Sequence, residues 1–187
     1  MRNAFSKMLP LGLLFCVSAY ASSASVDEQI KRGEYLAIAG DCGACHTESG
    51  KLALSGGHPI VSPIGTIYST NITPSKADGI GRYTLSQFSD ALRYGKRADG
   101  SPLYPAMPYT AYAKLSDEDV SALYTYFMQG VAPVDQRPEA TRLPFPFNLR
   151  FSMAAWNLLY LNKETFKPQP GRSEEWNRGA YLVEGLG

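Results

Sequence analysis

Cys42-Gly43-Ala44-Cys45-His46 is the stretch whose reading decides the fold. It sets two thiols three positions apart, with an imidazole directly after the second. On one helical turn residues i and i+3 share a face, so both sulfurs can meet the two vinyl groups of one porphyrin. His46 then falls beneath the iron as proximal ligand, and Cys-x-x-Cys-His is the attachment signature of a c-type haem. Gly43 and Ala44 are small enough for the macrocycle to lie against the backbone. A redox disulfide would want a thioredoxin-like βαβ setting, and zinc would want two further ligands. The one other cysteine, Cys16, sits in a segment that reads as a leader.

That leader covers residues 1–21. Arg2 and Lys7 give a basic start, 9–19 an apolar run, and Ala19-Tyr20-Ala21 a small-x-small cleavage site, with Ala24 as an alternative end. The run is too short to span a bilayer. Bulky Phe15 before Cys16 argues for a spacer rather than a lipid anchor. The full sequence carries a formal charge of +1; losing Arg2 and Lys7 leaves 16 basic against 17 acidic residues, a net of −1. Nothing in that balance calls for nucleic acid. Three cysteines are too few for a disulfide framework. Export agrees with the haem reading, because bacteria attach c-type haem outside the cytoplasm; the expected location is periplasmic.

Outward from the motif, 26–40 reads as an amphipathic helix that delivers it. Asp27 and Glu28 sit in its first turn, and Ile30, Tyr35, Leu36 and Ile38 are the expected apolar contacts. Residues 47–74, rich in Gly, Ser, Thr and Pro, suit an extended loop around the haem edge. His58 in this loop is a weak rival iron ligand, better read as solvated. Pro59 or Pro63 could offer the carbonyl that orients the His46 ring. Residues 84–95 read as a short helix capped by Thr84 and ended by Gly95. Leu103-Tyr104-Pro105-Ala106-Met107-Pro108-Tyr109 follows, with Met107 in a loop pinned by prolines, 61 residues after His46. Its soft sulfur suits the sixth iron position, whereas Met128 and Met153 fit helical patterns as gap-fillers. Ser116-Asp117-Glu118-Asp119 starts another helix, running to Gln129-Gly130 and expected to cross the first with Leu123 and Tyr126 or Phe127 near Gly33.

The pair Gly33 and Tyr35 resembles the N-terminal helix of class I cytochromes c. The run Gly65-Thr66-Ile67-Tyr68-Ser69-Thr70-Asn71-Ile72-Thr73-Pro74, then Gly79-Ile80-Gly81, the Met107 loop and Ser116–Val120, resembles the first haem domain of the cytochrome c subunits of bacterial membrane-bound alcohol, aldehyde, gluconate and sugar dehydrogenases. The likeness covers 30–187; Tyr83 stands where that family has Trp. It implies haem c carried by Cys42 and Cys45, with His46 and Met107 as axial ligands: one haem here and three in a full-length chain. It also implies a relay from a catalytic dehydrogenase subunit to ubiquinone or another downstream acceptor, at the cytoplasmic membrane surface.

The expected fold is therefore all-α. A class I cytochrome c-like domain with one haem (22–130) follows the signal peptide. A Pro-rich connector with a short apolar helix at 151–161 spans 131–172, and 173–187 begins a second cytochrome c domain. The apolar helix is expected between domains or against a partner subunit, with a membrane contact the weaker option. Arg178-Gly179-Ala180-Tyr181-Leu182 repeats Arg32-Gly33-Glu34-Tyr35-Leu36 in four of five residues. Cys42 lies nine residues after Gly33, and the same interval from Gly179 falls at position 188. The repeat thus predicts a fragment cut before a second haem site, on a helix whose apolar face lacks a core. Six-coordinate iron has no open position, so the expected function is electron transfer rather than catalysis. The alternatives are a haem enzyme of its own (peroxidase or thiosulfate-oxidising) or a gas sensor, which need a vacant or Cys-ligated iron.

Overall fold

The computed structural model describes residues 24–187, so the leader at 1–21 and Cys16 lie outside the described residues. Helix α1, Val26–Ala39, opens on a capping box: Ser25 Oγ accepts from the Glu28 N–H, and the Glu28 carboxylate accepts from the Ser25 N–H. Its buried face is Gly33, Leu36 and Ala37. This differs from the expected stripe, since Tyr35 and Ile38 are 49% and 71% exposed. The stripe is rotated because the contact is set at Gly33, and residues three and four further on share its face.

The helix that makes that contact is α5, Asp117–Thr125, capped by Ser116 and with three acids in its first turn. A Cβ on Gly33 would run into the Ala122 carbonyl oxygen and lie 2.6 Å from Tyr126 Cβ. Only a glycine lets the two backbones approach this closely. The crossing therefore uses Ala122 and Tyr126, while Leu123 and Phe127 are buried in the core. Past Thr125 the chain does not continue as α-helix but widens into a π-helical turn, Tyr126–Gly130.

Between these helices the chain builds the haem-motif side of the molecule. Asp41, in the left-handed region at φ 51°, turns the chain sharply from α1 into α2, Cys42–His46. The 47–74 stretch is not wholly loop. Strands β1, Pro59–Ser62, and β2, Gly65–Tyr68, pair antiparallel with Ser62 opposite Gly65. The β-branched residues on either side of a two-residue turn account for this hairpin. Helix α3, Leu85–Tyr94, has the Thr84 cap and ends on Gly95 at φ 61°. Buried Arg93 ties it to the start of α5, donating to the Asp117 carboxylate at 2.6 Å and to the Leu115 carbonyl. A short helix α4, Tyr109–Tyr112, follows the Met107 loop. Leu36, Phe88, Tyr112, Leu115, Val120, Leu123 and Phe127 form one core. Each such side chain contributes about 1.5–3 kcal/mol by leaving water.

The Pro-rich segment is strapped to the haem-side loop. The Asn71 amide donates to the carbonyls of Val134 (2.7 Å) and Gln136 (3.0 Å), and the Tyr68 N–H donates to Thr141 Oγ1. Helix α6, Ser152–Tyr160, touches the domain through Trp156, edge-on to Tyr109, and Asn157, which accepts from the Tyr109 hydroxyl at 2.7 Å. Its Leu158 and Leu159 face solvent. No helix among the described residues is long and apolar enough to cross a membrane.

Helix α7, Glu174–Leu186, corrects one expectation: it does find a core. Tyr181, Gly185 and Leu186 are buried against the rest of the molecule. Leu186 packs at Gly40 and Gly185 at Leu115. The Tyr181 hydroxyl donates to buried Asp119 and accepts from the Ser116 N–H. The architecture is mostly helical, with one hairpin where the sequence suggests an all-α fold.

Candidate haem site

The four side chains singled out from the sequence line one cavity of about 490 Å³: Cys42 and Cys45 from α2, His46 at its end, and Met107 from the Pro-pinned loop. The volume falls in the range of sites built for a sizeable organic ligand. Its walls are largely apolar, with Ile67, Ile72, Ile80, Phe88, Leu92, Leu103, Tyr112, Phe127 and Leu186 among them. His58 and Met128 are not among the lining residues. Cavity shape and donor set together fit a covalently held haem: two thiols one helical turn apart, an imidazole, a thioether and an apolar slot.

His46 is oriented by a hydrogen bond of 2.6 Å between Nδ1 and the Thr70 carbonyl. A carbonyl only accepts, so Nδ1 carries the proton and Nε2 keeps a free lone pair. Burial holds the imidazole below its ordinary pKa of 6.5, opposed in part by the Thr70 bond. The ring is thus neutral at physiological pH, as a metal ligand must be. The orienting group is neither Pro59 nor Pro63. Thr70 takes the role because the hairpin returns the chain past His46: the Gly56 N–H donates to the His46 carbonyl, and a Cβ on Gly56 would sit 2.5 Å from the Thr70 carbonyl carbon. The signal for Thr70 in the sequence is its place in the family-like run from Gly65 to Pro74.

Both cysteines are free thiols. Burial first, with Cys45 and Asp41 adding, pushes the Cys42 thiol up to about 11, so it is protonated at neutral pH. That opposes a redox-active Cys-x-x-Cys, which depends on a depressed thiol pKa.

Some lining residues carry no mark in the sequence. Tyr112 closes one wall and donates to the Gly40 carbonyl at 3.2 Å. Thr141 and Arg150 come from the Pro-rich segment beyond residue 130 and Leu186 from α7.

A cytochrome c family model matches residues 30–130. The fructose dehydrogenase cytochrome subunit of Gluconobacter japonicus is 55% identical over 84% of this chain and 33% of its own length. The gluconate 2-dehydrogenase cytochrome c subunit of Pantoea cypripedii is 49% identical over 96% of this chain and 41% of its own length. A diheme cytochrome c-type protein of Cereibacter sphaeroides is 36% identical over 88% of this chain and 56% of its own length. The chain spans about a third to two fifths of the first two relatives. With its cavity, its Cys-x-x-Cys-His helix and a family model over more than half its length, the chain belongs to the cytochrome c family.

Proposed function

We propose that the protein is a periplasmic electron-transfer subunit that passes electrons from the catalytic subunit of a dehydrogenase toward ubiquinone at the cytoplasmic membrane. The observation that carries this reading is that His46 and Met107 line the same apolar cavity as both cysteines. In this reading Cys42 and Cys45 would hold haem c through their sulfurs. His46 Nε2 and Met107 Sδ would hold its iron. Bound there, the haem supplies reversible one-electron iron chemistry.

The chain's own part is to hold and tune. The Thr70 carbonyl fixes the His46 ring, and its hydrogen bond raises the basicity of Nε2. The Met107 thioether favours Fe(II). The apolar walls exclude water, and an iron held by both side chains would have no position open for a substrate. That separates the relay from a haem enzyme.

We further infer that 173–187 opens a second cytochrome c domain. Two things support it besides the Arg-Gly-x-Tyr-Leu repeat: the greater length of the relatives and the exposure of Gly179 and Val183 on α7. The positions equivalent to the buried Gly33, Leu36 and Ala37 are Gly179, Leu182 and Val183, of which Leu182 packs against the core. Nothing stands within 4 Å of a Cβ at Gly179, and Val183 is 71% exposed.

Met107→Ala in the holoprotein tests the site. Covalent haem is expected to remain, with the reduction potential falling on the order of hundreds of millivolts, since axial ligands move haem potentials over about 0.8 V. Cys42→Ser or Cys45→Ser is expected to leave little holoprotein on a haem-stained denaturing gel. An unchanged potential in Met107→Ala overturns the ligand assignment.

A further inference from the structure

We propose that Arg150, together with Arg97, pairs with the haem carboxylates, so that the connector beyond residue 130 is part of the haem site and raises its potential. The inference rests on the haem reading above. A haem carries two propionate groups, and these must either reach solvent or meet donors. Arg97 and Arg150 are the only Lys or Arg side chains among the described residues that line the cavity.

Both residues meet at one turn of the chain. The Arg97 backbone N–H donates to the Ser101 carbonyl at 2.9 Å, and the side-chain Nη1 of Arg150 donates to the next carbonyl, Pro102, also at 2.9 Å. Arg150 is held over the Tyr104 ring, 4.4 Å from its centroid, and the Tyr104 hydroxyl donates to the Phe147 carbonyl. Tyr104 itself lines the cavity. Asp99, the nearby carboxylate, already accepts from the Ser101 N–H and hydroxyl; those bonds first, and then both arginines, hold it below the usual carboxylate range. Arg150 spends one N–H on Pro102, which leaves the rest of its fork for a carboxylate. A fixed positive charge beside the haem disfavours Fe(III), which carries one more positive charge than Fe(II).

The test is an equilibrium redox titration of the holoprotein, followed by haem absorbance. Arg150→Gln is expected to shift the one-electron equilibrium toward the oxidised form by about three- to tenfold, tenfold being ~59 mV. Arg150→Lys, which keeps the charge, is expected to recover most of the shift, and Arg97→Gln to repeat it. Arg172→Gln, exposed and not among the lining residues, is expected to leave the potential unchanged. Equal potentials in Arg150→Gln and wild type would sink the proposal, as would a fall in Arg150→Lys as large as in Arg150→Gln, which would assign the effect to packing. If Arg150→Gln does not fold, Arg97→Gln decides: a lowered potential there supports the pairing, and an unchanged one overturns it. Failure of the underlying reading is distinct: it shows as absent covalent haem in the wild type or an unmoved potential in Met107→Ala.

Discussion

Helices α1 and α7 carry the same pentapeptide pattern and bury different, partly overlapping faces of it. In α1 the buried positions are Gly33, Leu36 and Ala37; in α7 they are Tyr181, Gly185 and Leu186, which correspond to Tyr35, Ala39 and Gly40. Gly33 is jammed against α5, whereas nothing stands within 4 Å of a Cβ at Gly179. Tyr35 is 49% exposed, while Tyr181 is 9% exposed and bonded to Asp119. The pattern therefore specifies an amphipathic helix, and the surface available to it decides which face is buried. Asp119 joins the two copies: Arg32 of α1 bonds one of its oxygens, and Arg178 and Tyr181 of α7 approach the other.

The strongest way to break the comparison is Gly33→Ala. The new methyl meets backbone, the Ala122 carbonyl, which cannot swing aside. The helices must separate, and overpacking of this kind costs about 1–3 kcal/mol, occasionally more. A fall of that size in the denaturant midpoint of the holoprotein is expected; an unchanged midpoint would mean that the crossing is looser than described.

Asp119→Asn strikes both copies at once. The carboxylate is 1% exposed and holds two arginines and a phenol. Removing one partner of a buried pair costs about 3–5 kcal/mol. Both arginines are roughly half exposed, so solvent screening brings the expected cost here to about 2 kcal/mol. Equal stability of wild type and Asp119→Asn would show that the helices are held by packing alone.

Tyr181→Phe isolates the α7 side. It removes two hydrogen bonds, the one to charged Asp119 and the one from the Ser116 N–H, and is expected to cost about 1–2 kcal/mol at neutral pH, because Asp119 keeps its arginines. Burial first, then the bond to Asp119, push the phenol up to about 12 from an ordinary value of 10. A raised folded-state value means that the contribution is whole below pH 10 and is lost as pH rises through 12. Wild type should lose more stability than Tyr181→Phe between about pH 9 and 12 in urea titrations. Parallel losses would refute the Tyr181–Asp119 link.

What can be read from the residues is local chemistry. Cys42, Cys45, His46 and Met107 stand out because few sequences combine those groups at those spacings, and they line one cavity. The caps at Thr84, Ser116 and Gly95 are legible for the same reason: each satisfies its own helix end. Long-range relations are not. Which stripe of α1 is buried depends on a glycine contact with residue 122. The carbonyl at Thr70 reaches His46 only because a hairpin intervenes. Asp119 looks like one of three first-turn acids, and nothing in its immediate neighbours marks it as the one that is buried.

The smallest expected effect is the most informative about the second copy. Gly179→Ala places a methyl in open space, in the middle of a helix, with φ outside the left-handed region. Within residues 24–187 it should stabilise by roughly 0.5–1 kcal/mol, the usual gain of Ala over Gly in a helix interior. If Gly179 is the crossing glycine of a second domain, the same change in a longer gene product should behave like Gly33→Ala and cost about 1–3 kcal/mol. The sign of one substitution, measured in two lengths of chain, therefore reads out whether the exposed face of α7 receives a helix as α1 receives α5. A stabilising effect in both lengths would refute the second-domain reading even if the repeat in sequence stands. A destabilising effect in the shorter chain would instead contradict the open space at Gly179. Only a change of sign between the two supports two copies of one haem-delivering helix that differ in which side has met its partner.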